Sequence, residues 1–304
     1  MPATITLGRS SLEPLMARSP RPLEGRVVAI TGGARGIGRA TAQACVRAGM
    51  KVALGDLDLA TAQQTADELG RGTLALELNV CDRASMKRFL DATEARLGPL
   101  DVLVNNAGIM PLSPFTQESD ATAHRLVDIN VHGVLHGMKE ALPRMRARGR
   151  GHLVNIASTA GKVGFAGGAT YSGTKHFVVG VSEGVRAELR GTAIEVTCVM
   201  PGVVNTELSA GTPQARFVPH IEAHQVADAI IDALRDPRFE VFVPRRIAPL
   251  QKLGGAVPTS VRDGFARLLA LDRVLGQPDA AARAEYEARA ARSAGPDDAA
   301  PDTG

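Results

Sequence analysis

The chain has 304 residues, of which 44% are hydrophobic and 22% are charged, and its formal net charge at pH 7 is +3. This length suits one open α/β domain with extensions, and the apolar fraction is enough to build a sizeable core. The small net charge, the absence of Trp and the presence of only two Tyr, at positions 171 and 286, argue against a nucleic-acid-binding surface.

Cysteine usage indicates a reducing compartment, and we expect a cytoplasmic protein. Cys45, Cys81 and Cys198 are far apart, form no CxxC pair and have no histidine at metal-ligand spacing, so we expect small buried side chains and no metal site. No apolar run reaches the roughly 20 residues that a membrane-spanning helix needs. Residues 1–22 lack the continuous apolar segment of a secretory signal.

Short apolar, β-branched runs alternate with helical patterns along most of the chain. Strands are predicted over residues 26–30, 51–54, 73–80, 102–104, 153–156, 194–199 and 239–243. Helices are predicted over residues 36–48, 59–69, 85–97, 121–146, 171–189 and 223–234. This alternation predicts right-handed crossovers and a doubly wound parallel sheet, the Rossmann fold, in one domain over residues 25–247. Ligands of such sheets bind beyond the carboxyl ends of the strands.

Segments of different character flank this domain. Residues 1–24 mix Ser, Pro and Arg and are predicted to form an arm that is ordered only if docked. Residues 248–276 form a C-terminal extension, and within it residues 260–275 place apolar side chains near one helical face. Residues 277–304 are predicted to be a polar, partly disordered tail with little to bury.

The first predicted strand ends in a glycine-rich turn, TGGARGIG at residues 31–38. Residues without Cβ allow backbone amides to approach a pyrophosphate closely, and the N-terminus of the following helix adds unpaired N–H groups and its positive dipole end. The strand–turn–helix context therefore predicts a dinucleotide site, although the spacing differs from G-x-G-x-x-G. The predicted contacts are Gly32, Arg35, Gly36, Ile37 and Gly38.

Asp56 stands at the end of the second predicted strand. A carboxylate there can accept hydrogen bonds from both hydroxyls of the adenosine ribose and would repel a 2′-phosphate. Arg35 opposes this preference, because a guanidinium in the turn could reach a 2′-phosphate, although it could equally be a solvated loop residue. The sequence therefore favours NAD(H) over NADP(H).

From about residue 23 to residue 244, the sequence resembles the short-chain dehydrogenase/reductase family. The resemblance rests on T-G-x-x-x-G-x-G at 31–38, N-N-A-G at 105–108, an asparagine at 130, a serine at 158, Y-x-x-x-K at 171–175 and P-G-x-x-x-T at 201–206. It implies that Ser158, Tyr171, Lys175 and Asn130 are catalytic. It also implies cofactor contacts from Asn79, Val80, Asn106, Ala107, Gly108, Tyr171, Lys175, Pro201, Gly202, Val204 and Thr206. The family often has Asp-Val where this chain has Asn79-Val80, but an amide oxygen can still bond the adenine amino group.

The implied chemistry needs a proton-transfer residue beside the hydride site. Lys175 lies four residues after Tyr171 on one helix face, so its ammonium is expected to stabilise the phenolate and lower the tyrosine pKa. Ser158 would hold the substrate oxygen. Asn130 would connect Lys175 to solvent through water, or would simply bond backbone.

We therefore predict an NAD(H)-dependent oxidoreductase that interconverts an alcohol and a ketone or aldehyde. The substrate walls are expected at residues 109–115, 161–168 and 203–219, which favour an apolar, lipid- or steroid-like molecule. Their apolar side chains are Met110, Leu112, Phe115, Val163, Phe165, Leu208 and Phe217, and their few charges are Lys162, Glu207 and Arg216. The alternative is a catalytically silent NAD(H)-binding regulator on the same fold, which the intact Ser158, Tyr171 and Lys175 argue against.

Assembly is predicted from the resemblance and from the extension. Family members are commonly tetramers, with one interface formed by the helices at 121–146 and 171–189 and another by the last strand and its neighbouring helix. If the amphipathic extension covers the second interface, a two-fold homodimer remains. A tetramer would require the extension to lie over the cleft or to reach across subunits. Peripheral membrane contact through the basic segment 245–252 is a third use, less favoured than packing on the protein itself.

Overall fold

Seven parallel strands form one sheet in the part of the chain that this computed structural model describes, namely residues 20–209, 211, 220–249 and 280–293. The strands are β1 (Val27–Thr31), β2 (Lys51–Asp56), β3 (Leu74–Glu77), β4 (Leu100–Asn105), β5 (Arg150–Ile156) and β6 (Ala193–Pro201), then β9 (Glu240–Val243) at the far edge. Their order is β3-β2-β1-β4-β5-β6-β9. The short strands β7 (Val204–Asn205) and β8 (Ile221–Glu222) pair separately. The predicted doubly wound sheet is confirmed.

Helices connect the strands and cover both faces of the sheet. They are α1 (Gly36–Arg47), α2 (Leu59–Leu69), α3 (Arg83–Leu97), α4 (Asp120–Val127), α5 (Gly133–Arg148), α6 (Ala169–Glu188), α7 (Ala223–Arg235) and α8 (Ala280–Arg292). Alternate residues of β1 belong to different buried clusters: Ala29 packs with α3, α5 and α6, whereas Val28 and Ile30 pack with α1 and α7. Because successive strand residues point to opposite faces, the core consists of two layers separated by the sheet.

Two predicted elements differ in detail from the structure. The third strand ends at Glu77 because Asn79 accepts a hydrogen bond from the Cys81 amide (3.0 Å), a local turn that stops the ladder. The helix predicted over residues 121–146 is α4 and α5 joined by a π-helical turn, Asp128–His132, that contains Asn130. Single π-helical turns are frequent at functional sites.

The flanking segments are described only in part. Leu23 is buried in the core, and Arg21 donates its amide to the carbonyl of Arg235 (2.9 Å) and pairs with Glu195 (2.7 Å), so this end of the arm is docked. The amphipathic stretch at 260–275 lies outside the described residues. In the described ranges, no helix is long and apolar enough to cross a membrane.

Residues 280–293 depart from the predicted tail. They form α8, in which Arg283, Tyr286 and Ala290 are 2%, 8% and 5% exposed. The expectation of little to bury is therefore wrong for this segment. These positions are spaced i, i+3 and i+7, which places them on one helix face.

The predicted homodimer stays a prediction.

Two glycine-to-alanine changes should have opposite effects on stability. An added Cβ at Gly137 of α5 would lie 2.0 Å from Oδ1 of Asn105, a buried side chain hydrogen-bonded to Asn155. Gly137→Ala should therefore cost roughly 1–3 kcal/mol of unfolding free energy through overpacking. At Gly184 of α6 an added Cβ meets nothing within 4 Å, so Gly184→Ala should gain up to about 1 kcal/mol of helix propensity. Urea unfolding measures both, and a stabilised Gly137→Ala protein would contradict the packing of α5 on β4.

Candidate active site

A cavity of about 880 Å³ opens at the carboxyl ends of β1, β2, β4, β5 and β6. Its volume is at the upper end of the range of small-molecule sites, as a dinucleotide together with a substrate requires. Most of the residues predicted to form the site line this cavity: Gly32, Arg35, Gly36, Ile37, Asp56, Asn79, Val80, Asn106, Ala107, Gly108, Ser158, Tyr171, Lys175, Pro201, Gly202, Val204 and Thr206. Gly38 and Asn130 are not among the lining residues. The structure therefore brings these predicted residues together around one cavity.

The glycine turn is held by the end of β4. Asn106 donates its side-chain amide to the carbonyls of Thr31 and Gly32 (both 2.9 Å), and Thr31 Oγ1 accepts the amides of Asn106 and Ala107 (both 3.0 Å). An added Cβ at Gly38 would lie 2.0 Å from the Gly32 carbonyl oxygen, which explains why Gly38 is needed although it does not line the cavity. Gly32 and Gly36 have φ of +64° and +52°, which favour glycine.

The geometry of the glycine turn fits a dinucleotide. The backbone of Gly32, Gly36 and Ile37 borders the cavity at the start of α1, where four helical N–H groups lack intrahelical partners. Gly32 and Gly36 carry no side chain that would keep a ligand away from their backbone. The turn is therefore suited to a pyrophosphate.

Asp56 and Arg35 line the cavity near the carboxyl end of β2, and neither is free. Asp56 accepts the amides of Ala34 (3.0 Å) and Asp58 (3.1 Å), while burial raises its pKa above the usual aspartate value. Arg35 donates to Asp58 Oδ2 (2.8 Å) and to Thr61 Oγ1 (2.7 Å). The Thr61 amide, followed by Arg35, lowers the pKa of Asp58 to about 2, so Asp58 is ionised at neutral pH.

Ser158 and Tyr171 meet because a short turn packs against α6. Ser158 follows β5 and caps the 3-10 turn Thr159–Gly161, accepting the Ala160 amide (3.1 Å). Gly161 allows this turn to approach α6 closely, since an added Cβ there would lie 2.6 Å from the Lys175 carbonyl oxygen. Burial raises the pKa of Tyr171 to about 12, opposed by a hydrogen bond with Ser158.

Lys175 stands one turn after Tyr171 and is 6% exposed. Its Nζ donates to the Ile156 carbonyl (3.0 Å) and lies 5.7 Å from the centroid of the Tyr171 ring. Burial lowers the pKa of Lys175 to about 8. In the chain by itself, burial therefore determines the pKa of Tyr171. The prediction that Lys175 lowers this pKa stays a prediction.

Asn130 is fully buried in the π-helical turn. Its side chain accepts the Ile109 amide (2.9 Å) and donates to the Ile109 carbonyl (3.0 Å) and to Thr174 Oγ1 (3.1 Å), so the backbone-bonding alternative describes it. A Cβ added to Gly108 would lie 3.1 Å from Asn130 Oδ1 and 3.6 Å from Lys175 Nζ. Asn130 and Lys175 thus border the same small space beside Gly108. The water relay stays a prediction.

Comparison with known proteins decides the family. A model of short chain dehydrogenases matches residues 26–216, a span that includes the glycine turn, Ser158, Tyr171 and Lys175. The chain belongs to the short-chain dehydrogenase family. This short-chain dehydrogenase is accordingly an oxidoreductase with the Rossmann fold of its relatives.

Relatives of this short-chain dehydrogenase differ in cofactor and substrate. Sorbitol dehydrogenase of Cereibacter sphaeroides is 40% identical over 61% of this chain and 73% of its own length. NADP-dependent 3-hydroxy acid dehydrogenase YdfG of Salmonella typhi is 38% identical over 60% of this chain and 75% of its own. Glycine betaine reductase ATRR of Emericella nidulans is 33% identical over 75% of this chain, which spans 19% of that protein. A short-chain dehydrogenase from Burkholderia phymatum, solved in complex with NAD, has a TM-score of 0.71 and 25% identity, covering 77% of this chain and 94% of that one.

The substrate side of the cavity agrees only partly with the predicted walls. Met110, Val163, Phe165 and Leu208 line it. Leu112 does not line it, and Phe115 is 71% exposed. Lys162 pairs with Glu240 (3.0 Å) instead of facing the cavity, whereas Arg216 and Phe217 lie outside the described residues. The sequence missed the wall formed by α8, which contributes Tyr286, Arg289 and Ala290, and by Ser293, which follows it.

Burial of Lys175 gives a pH-dependent stability effect. The lowered pKa means that the folded protein loses this proton from about pH 8 and the unfolded chain only near pH 10.5, so this contribution to wild-type stability rises between those values. Lys175→Met removes it. The unfolding free energy of the variant relative to wild type should therefore fall by about 2 kcal/mol between pH 7 and pH 9.5. Urea titrations at both pH values measure this, and a constant difference would show that Lys175 is not desolvated.

Proposed function

We propose that this short-chain dehydrogenase uses NAD(H) to interconvert a secondary alcohol and a ketone, or an alcohol and an aldehyde, on an apolar substrate. The observation that carries the proposal is the buried group of Ser158, Tyr171 and Lys175 on the wall of a cavity that also contains a dinucleotide-binding turn. NAD(H), when bound, supplies the hydride chemistry. The turn at residues 31–38, Asn106–Gly108 and Pro201–Thr206 would hold it.

Tyr171 is the proton-transfer residue in this proposal. With its pKa raised to about 12 by burial, Tyr171 keeps its proton at neutral pH and can donate it to a ketone oxygen that Ser158 also bonds. Alcohol oxidation requires the reverse transfer, which a positive charge nearby favours. Lys175 supplies such a charge below about pH 8.

Loss of the Tyr171 hydroxyl should abolish turnover and leave cofactor binding intact. Tyr171→Phe keeps the ring, which packs edge-on against Phe165 with centroids 6.2 Å apart, and removes the proton. We expect kcat to fall by roughly two to four orders of magnitude, the range of general acid–base catalysis. NADH fluorescence titration should give an unchanged dissociation constant, and it is easy to read because the chain has no Trp. Turnover near the wild-type rate would remove Tyr171 from the mechanism.

The preference for NAD(H) over NADP(H) follows from two carboxylates. Asp56 at the end of β2 would repel a 2′-phosphate. Asp58 engages Arg35, the cation in the turn that could otherwise bind that phosphate, and Thr61 shares the interaction. The side chain of Arg35 is about one-third exposed. We propose that its ion pair with Asp58 keeps the guanidinium directed toward α2.

Cofactor preference should change when Asp58 loses its charge. Wild type should prefer NAD over NADP by at least about tenfold in kcat/KM, since one charged hydrogen bond and one repulsion exceed roughly 1.4 kcal/mol. Asp58→Asn keeps a cap for α2 and frees Arg35, so the NADP:NAD ratio of kcat/KM should rise. Asp67→Asn, on the exposed face of the same helix, is the matched control and should leave the ratio unchanged. Equal use of both cofactors by wild type would overturn the assignment.

The apolar substrate class rests on the side chains around Tyr171. Phe165, Met110 and Leu208 line the cavity and belong to the apolar cluster that contains Tyr171, and Val163 also lines the cavity. The charged residues of this region are engaged with protein partners: Glu207 pairs with Arg289, and Lys162 with Glu240. A phosphorylated or acidic substrate would find few available partners there, so we propose a lipid- or steroid-like alcohol or ketone.

A further inference from the structure

Helix α8 lies along the substrate side of the cavity, in a segment whose composition gives little sign of a role. Its Tyr286 and Ala290 are buried in the same apolar cluster as Tyr171, Ile109 and Met110. Both also line the cavity. The helix therefore forms part of the wall that a substrate would contact.

A buried arginine fixes α8 to the two loops beside the cavity. Arg283 is 2% exposed, and its guanidinium donates to the carbonyls of Met110 (2.6 Å) and Leu208 (3.1 Å) and to Glu287 (2.9 Å). Met110 follows β4, whereas Leu208 follows β7. Removing a guanidinium from water costs several kcal/mol unless hydrogen bonds replace its solvation. These bonds replace it only when α8 is docked, which makes the docked position specific.

Two further contacts secure the outer side of the helix. Arg289 forms an ion pair with Glu207. Arg125 of α4 donates to the carbonyl of Ala291 (3.2 Å) in the last turn of α8, where cations are favoured by the helix dipole. Together with Arg283, these contacts join α8 to α4 and to both loops.

Tyr286 is the aromatic side chain that α8 contributes to the cavity wall. Its hydroxyl accepts the Met110 amide (2.6 Å), and its ring lies 5.0 Å from the Arg283 guanidinium. Burial raises its pKa, so the hydroxyl stays protonated. Packing in the apolar cluster holds the ring in place, and the hydrogen bond to Met110 adds to this packing.

We propose that Tyr286 is a substrate-contacting residue whose ring limits the size of the apolar molecule that can reach Tyr171. This inference rests on the proposed oxidoreductase function for the molecule it names, but the position of the ring does not depend on it. Within the proposed class of lipid- or steroid-like molecules, this excludes steroid-sized substrates and leaves compact apolar ketones and alcohols, because the fixed ring occupies space that a larger molecule would need.

The test compares Tyr286→Ala with Tyr286→Phe. Reduction of cyclohexanone and of the larger 2-decalone is followed with NADH, and binding of the neutral apolar dye N-phenyl-1-naphthylamine is followed by fluorescence. Tyr286→Ala should raise the ratio of kcat/KM for 2-decalone over cyclohexanone by at least tenfold and should bind the dye at least tenfold more tightly. Tyr286→Phe keeps the ring and should retain the wild-type ratio. Glu285→Ala, whose side chain is 93% exposed on the same helix, is the surface control.

A second variant should change the 2-decalone to cyclohexanone ratio of kcat/KM in the opposite direction, and a separate measurement checks that α8 stays docked. Ala290 lines the cavity one turn beyond Tyr286, so Ala290→Leu should lower the same ratio. Exchange of the backbone amides of α8, measured by hydrogen–deuterium mass spectrometry, reports docking in every variant without any substrate, because these amides do not depend on the Tyr286 hydroxyl.

The outcomes separate the two proposals. If the ketones are reduced but neither the ratio nor dye binding changes in Tyr286→Ala, the ring does not limit size and the inference fails while the oxidoreductase proposal stands. If dye binding tightens but no variant reduces either ketone, the inference stands and the proposed activity on apolar ketones fails. Equal effects of Tyr286→Phe and Tyr286→Ala would assign the effect to the hydroxyl and overturn the proposal for the ring.

Discussion

The arrangement of the whole cavity depends on the hydrogen bonds between Asn106 and the glycine turn. The side-chain amide of Asn106 donates to two successive carbonyls of the turn, and the Thr31 hydroxyl oxygen accepts a backbone amide that follows β4. These bonds fix the end of β1 relative to the end of β4 and thereby direct the first turn of α1. Because neighbouring parallel strands end at the same edge, the same connection positions Gly108 beside Lys175, and the glycine turn and Tyr171 line one cavity.

Burial, more than pairwise attraction, sets the electrostatics of the site. Tyr171 and Lys175 are held in an apolar environment, so each is displaced toward its neutral form. A neutral phenol beside an amine with a pKa near 8 responds strongly to any added charge, because low dielectric magnifies the interaction. The site is therefore more sensitive to the charge of a bound molecule than an exposed tyrosine and lysine would be.

Most of the fold and the nucleotide side of the site could be predicted from the sequence. The buried parallel strands are continuous apolar runs, and glycines stand where an added Cβ would lie 2–3 Å from neighbouring backbone atoms, which leaves a readable pattern in the sequence. The position of Asp56 at the end of an apolar strand and the four-residue spacing of Tyr171 and Lys175 could also be read from the sequence. What the sequence could not show were long-range pairings: Arg35 with Asp58 across a turn, and Arg283 with carbonyls about 75 and 173 residues away.

The C-terminal wall was missed because its composition is polar. In a run of Ala, Arg and Glu, one aromatic residue is too little to give a clear amphipathic pattern. Arginine is also mostly exposed in proteins, so the burial of Arg283 could not be expected. The available signal was the spacing of Arg283, Tyr286 and Ala290 on one helical face, together with the rarity of Tyr in this chain. The degree of desolvation of Lys175 was also beyond the sequence, since it depends on the packing of α6 against β5 and on the loop after β4.

The carbonyl bonds of Arg283 have a mechanical consequence. A single guanidinium connects the loop after β4 to the loop after β7, so neither loop can move outward alone without stretching a bond to the other. Opening of this side of the cavity is then a concerted event in which both loops and α8 separate together and a buried cation is rehydrated. The time that a ligand remains inside would be governed by that rare separation, and exchange of ligand with solvent would be slower than the motion of either loop considered by itself.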